Sequence, residues 1–172
     1  MTTLYDVSVK TYIQELGAVS GVLEKGRQYC EENNIELDDI VNTRLHPDMM
    51  PLHFQIVSVV HHSQGAMRGV QAGEFTTPSF AIDKDYQELH DSVKAALQEV
   101  QQLTPDAVNA LEGNDLMFKI GDRGMPFIAE DFLMSFSLPN FYFHATTTYD
   151  ILRMKGVPLG KRDFLGQMRI KA

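Results

Sequence analysis

The sequence predicts an all-α fold: a four-helix bundle with one small β-hairpin between the third and fourth helices. Three observations lead there. Apolar residues recur at three- and four-residue steps in four separated stretches. Strand-like alternation is confined to one Gly-bounded segment. The composition, 172 residues with 44% hydrophobic and 22% charged, suits a single domain over residues 1–172 and not a disordered or linker-rich chain.

The first helix is read from Tyr5 to Glu32, on Val9, Tyr12, Ile13, Leu16, Val19, Val22 and Leu23. Gly17, Gly21 and Gly26 weaken it but permit a close helix neighbour. Asn33-Asn34 ends it, since Asn tolerates the left-handed cap. Leu37 to Val41 is a short helical turn and His46-Pro47-Asp48 a break. A second helix runs from Met50 to Val70, with Pro51 in its first turn. Gly73 to Ser79 is a loop. Asp83 or Asp85 caps a third helix, Tyr86 to Leu103, and Thr104-Pro105-Asp106 opens a short one. Leu116 to Ile120 and Met125 to Ile128 flank Gly121-Asp122-Arg123-Gly124 as a hairpin, an ornament on the bundle. The fourth helix runs from Glu130 to Met154 or Lys155, kinked near Pro139 and stopped by Gly156 and Pro158.

Charge is unevenly placed. Of the 15 basic residues, six fall within 153–172 against one of the 23 acids, so the tail carries +5 and the preceding 152 residues −13. The net −8 argues against nucleic-acid and anionic-membrane partners. The tail is read as docking on the acidic body of its own or a neighbouring subunit, and opposite charges meeting across chains suggest a homodimer. Asp150 and Arg153 form a helical i, i+3 pair. The seven methionines from Met49 to Met154 are read as core fillers. No basic, apolar leader and no membrane-spanning run is expected, so the location expected is cytoplasmic. The lone Cys30 excludes an internal disulfide and lacks an activating partner.

Histidines carry the remaining chemistry. His46 and His90 read as exposed, and only one of His61 and His62 faces inward. Gln55, Ser58 and His62 fall on one stripe of the second helix; Asn140, His144 and Thr147 fall on one stripe of the fourth. Facing stripes make a polar pocket inside the bundle, the place where bundles build ligand and metal sites. The same polar residues also serve simply to fix packing.

Two sets of motifs resemble an uncharacterised bacterial family grouped with the DinB/YfiT-like four-helix bundles. One is His46-Pro47-Asp48-Met49, Pro51-Leu52, Gln55 and His62 with Leu138 to His144 and Thr146-Thr147. The other is the closing run Tyr149 to Arg153 and Gly156 to Gly166. The resemblance spans nearly the whole chain and implies an up-down-down-up bundle, frequently dimeric. It also implies a divalent metal (Zn, Ni, Mn or Fe) held by one histidine of the second helix and a His-x-x-x-His pair of the last, serving a transferase or hydrolase. Here His144 takes the second position of the pair and Asn140 stands at the first. His62 is the second-helix candidate, with His53 or Gln55 as alternatives. Two functions follow: a small-ligand-binding bundle with a hydrogen-bonded His/Asn pocket, or a metal-dependent transferase or hydrolase using His62 and His144.

Overall fold

The computed structural model describes residues 1–80 and 83–171. Its first helical stretch divides in two. Thr3 caps α1 (Leu4–Val7) in a capping box with Asp6, and then the Ser8 hydroxyl donates back to the Leu4 carbonyl at 2.6 Å. A serine that bonds its own backbone competes with the helix ladder, so the chain re-enters helix as α2 (Val9–Asn33). Asn34 closes α2 in the left-handed conformation, with φ 54°.

After α3 (Leu37–Val41), Pro51 is the cap residue of α4 (Leu52–Val60) and not a member of its first turn. The helix widens into a π turn at His61–Gly65 before α5 (Ala66–Ala72). Strand β1 (Glu74–Thr76) occupies part of what the sequence presents as a loop. Of the two candidate caps, Asp85 forms a capping box with Glu88 at the start of α6 (Tyr86–Gln101). Thr104 caps α7 (Pro105–Asn109). Strands β2 (Asp115–Ile120) and β3 (Arg123–Ile128) pair antiparallel about Gly121, φ 55°. Next come α8 (Ala129–Asp131), a second π turn (Phe132–Ser137) and α9 (Leu138–Met154). Pro139 has no N–H to give the ladder, and the widened turn directly before it takes up the interruption. The last helix is α10 (Lys161–Leu165).

The long helices pack α2 on α6 and α9, and α4 on α6 and α9. Tyr12, Leu16, Leu23, Ile56, Tyr86, Leu89, Phe132 and Phe141 are fully buried between them. The sheet order is β1-β2-β3 with β1 parallel to β2, so Phe75 lies level with Phe118. Both are buried, as is Leu116; the sheet is therefore a wall of the core and not an ornament. Among the described residues, no helix is long and apolar enough to cross a membrane.

The C-terminal segment lies along α2. Asp163 pairs with Lys25 at 2.6 Å, Gln14 donates to the Leu165 carbonyl at 2.9 Å, and Arg169 reaches the Asp6 carbonyl at 3.4 Å. The tail's ion pair thus runs from its one acid to a lysine of the body. Ala172 lies outside the described residues.

Four further expectations change. His90 is 1% exposed, with its Nε2 on the Ser20 hydroxyl at 3.0 Å. Arg153 turns to the Val157 carbonyl and not to Asp150. Met67 is a core residue, but Met117, Met125, Met134 and Met154 are exposed. Only Gly26 of the three α2 glycines serves a close approach. A β-carbon there would press on the Tyr86 hydroxyl, which donates to the Leu23 carbonyl at 2.7 Å. A β-carbon at Gly17 or Gly21 would meet nothing within 4 Å.

These glycines give opposite predictions. Gly26→Ala should lower the unfolding free energy by about 1–3 kcal/mol through overpacking. Gly17→Ala and Gly21→Ala should each raise it by about 0.5–1 kcal/mol. Urea titration reads all three, and an unchanged midpoint for Gly26→Ala would refute the close packing of α2 on Tyr86.

Candidate functional site

Helix α4 carries Ser58 and, one turn on, His62 at the start of the first π turn. Widening the ladder there frees the His62 carbonyl, and the Ser137 hydroxyl donates to it at 2.9 Å. Ser137 belongs to the second π turn and itself accepts from the Tyr12 hydroxyl at 3.4 Å. The two irregular turns are therefore tied directly to each other. Beyond them α9 carries Asn140 and His144, again one turn apart.

Between these helices lies a cavity of about 190 Å³. Ser58, His62, Asn140 and His144 supply its polar lining. Phe54, Phe75, Phe118 and Phe136 supply apolar walls, and Thr77 and Pro78 complete it. The imidazole rings of His62 and His144 lie 5.9 Å apart and within 13° of parallel.

Hydrogen bonding sets the protonation of His144. Gln55 donates through Nε2 to the Met50 carbonyl at 2.7 Å, which fixes its amide orientation, because a carbonyl can only accept. The Gln55 Oε1 lies 2.7 Å from His144 Nδ1, so Nδ1 bears the proton and Nε2 keeps its lone pair. Burial pushes the His144 pKa down to about 4. Burial, with like charge at His61 and His144, pushes His62 down to about 3. Both rings are neutral at pH 7. Two buried polar atoms of the lining have no partner among the described residues: Ser58 Oγ and His62 Nδ1.

Of the six pocket residues expected from the sequence, the structure brings Ser58, His62, Asn140 and His144 together. Gln55 stands one layer back, orienting His144. Thr147 turns to the Phe143 carbonyl of its own helix at 2.8 Å. His53, the alternative metal candidate, lines a separate cavity of about 350 Å³ with Asp38, Asn42, Asp83 and Asp85. His61 is half-buried; its Nε2 meets the Thr76 carbonyl at 2.6 Å and its ring packs on Phe75 at 4.4 Å.

A family model described as a domain of unknown function, DUF1993, matches residues 4–165. The chain belongs to the DUF1993 family. Its fold is similar to that of the crystal structure of a DinB family member protein from Shewanella denitrificans. The TM-score is 0.80 at 24% identity, over 98% of this chain and 95% of that one. Comparison with curated proteins gives no match.

The donor set of this DUF1993 chain fits the metal of the DinB-like resemblance poorly. A zinc site that keeps an open position uses three protein ligands, and the pocket offers two imidazoles. Asn140, at the third position, ties its amide nitrogen to the Phe136 carbonyl at 2.8 Å and presents a neutral oxygen. No group of three His, Cys, Asp or Glu side chains suited to a metal ion is found among the described residues. The four phenylalanines escaped the sequence reading, because two of them reach the pocket on strands paired across the chain. The alternation of Leu116 and Phe118 was their only local signal.

The depressed histidines make stability depend on pH. Their folded pKa values lie below the ordinary 6.5, so the unfolded chain takes up protons that the folded chain refuses. Their contribution is complete above pH 6.5 and is lost as pH falls toward 4, at up to roughly 1.4 kcal/mol per pH unit for each ring. Glu15, buried with no partner on Oε2 among the described residues and pushed up to about 7 by desolvation, acts in the opposite sense. Its contribution is present below its ordinary value and lost as pH rises to 7. Denaturant titrations across this range should give a shallower acid slope for His62→Leu than for the parent. Parallel slopes would mean that His62 does not titrate as argued.

Proposed function

We propose that this chain is a DinB-like four-helix bundle that binds a small molecule in the pocket between α4 and α9. One observation carries the reading. Ser58 Oγ and His62 Nδ1 are buried beside the cavity with no partner among the described residues. A buried polar group left unsatisfied costs about 1–3 kcal/mol, and a ligand with matching groups recovers that cost. The aromatic walls and few convergent polar groups are the usual make-up of a ligand pocket. The volume of about 190 Å³ suits a molecule the size of one aromatic ring, since an apolar cavity of about 150 Å³ takes a benzene.

The second reading, a transferase or hydrolase with a divalent metal on His62 and His144, draws on the free Nε2 lone pair of His144. Its weakness is the missing third ligand. A homodimer in the cytoplasm remains part of the proposal. The charge argument for that dimer is weakened by the tail's docking on its own α2. The support left is the exposed face of α9, where Tyr142 and Phe143 are 39% and 56% exposed.

Elemental analysis of untagged protein, dialysed after incubation with zinc, separates the two functions. The ligand-binding reading expects far less than one zinc per chain, with toluene perturbing pocket resonances in NMR spectra. Retention of about one zinc per chain, lost in His144→Ala, would favour the metal reading instead.

A further inference from the structure

The pocket's polar atoms face the cavity with a definite polarity, and this bears on what the proposed ligand is. On the α9 side, His144 has committed Nδ1–H to Gln55, so the edge turned to the cavity carries the Nε2 lone pair. One turn earlier, Asn140 has committed one N–H of its amide to the Phe136 carbonyl, which leaves its Oδ1 and a second N–H. This wall therefore offers two acceptors, one on each residue, beside a single remaining donor. On the α4 side, Ser58 and His62 form a mixed wall. The hydroxyl donates or accepts as it rotates, and a neutral imidazole has one N–H and one lone pair. Apart from the two histidines, no ionisable side chain lines the cavity among the described residues.

We infer that the ligand is a small, uncharged molecule whose polar end carries an N–H₂ group beside an acceptor, as in a primary carboxamide or an amino-substituted heterocycle, on an aromatic or short apolar body. Its N–H groups meet His144 Nε2 and Asn140 Oδ1. Its acceptor meets Ser58 Oγ or the His62 N–H. Its apolar body lies among Phe54, Phe75, Phe118 and Phe136. The same arrangement disfavours a carboxylate of equal size, whose charge would leave water for a pocket with no cation among the described residues. This assignment rests on the ligand-binding reading of the pocket and adds its chemical class.

Three probes of similar size test it: benzamide, benzoate and toluene, each titrated into the full chain and followed by NMR chemical shifts. Benzamide is expected to bind at least about tenfold more tightly than either of the others, the order of one well-made hydrogen-bond pair. In Asn140→Leu that preference should shrink toward toluene's affinity, with thermal unfolding confirming the fold. The comparison on the unmodified chain stands without the variant. Benzoate or toluene binding as tightly as benzamide overturns the assignment and leaves a ligand pocket in place. Binding by none of the three removes both.

Discussion

The hydrogen bond from Ser137 to the His62 carbonyl governs the rest of the architecture. A π turn leaves backbone groups outside the regular ladder, and in a buried place each must find another partner. Here the two π turns solve this together. One frees a carbonyl, the other supplies a hydroxyl, and that hydroxyl also accepts from Tyr12. One short side chain thereby joins α2, the α4–α5 stretch and α9. Because His62 lies in one irregular turn and Phe136 in the other, the same bond positions both sides of the pocket. A Ser137 without its hydroxyl would strand the carbonyl as well as loosen the cavity.

Much of the framework was legible because it rests on local chemistry. Apolar periodicity located the long helical stretches, and the caps at Asp85, Thr104 and Asn34 follow from side chains that bond the adjacent backbone. The π turns were not legible. His61 to Gly65 has no residue that forbids an α-helix, and the partner that makes the wider turn tolerable lies 75 positions away. Strand β1 is three residues long, too short for alternation to register, and exists only by pairing with β2. His90 reads as exposed in the sequence, whereas in the fold its Nε2 meets the Ser20 hydroxyl of α2, a partner 70 positions away.

The site divides along the same line. His62, Asn140 and His144 emerged from helical spacing together with a known motif. The role of Gln55 depends on Met50 and His144, which hold its two ends and lie at positions that helical spacing does not connect. The imidazoles are uncharged in a molecule of net −8, since burial, not a neighbouring carboxylate, dominates their surroundings. The acids are spent elsewhere, on helix caps and on exposed ion pairs such as Arg68–Glu99 and Arg27–Glu24, which contribute little individually. The cavity is thus a neutral island, lined by hydrogen-bonding groups and aromatic rings.

The strap along α2 has a consequence for how the chain reaches this state. Lys25 and Asp163 are 138 positions apart, and Gln14 and Leu165 are 151 apart. These are among the widest closures in the molecule, and wide closures form late because their loop entropy is recovered only when the ends meet. During synthesis, α2 is made well over 100 residues before the segment that covers this face. Its outer face therefore stays uncovered until that segment has been made, which gives a reason for the polar residues and glycines there: an apolar surface in that position would meanwhile be exposed to other nascent chains.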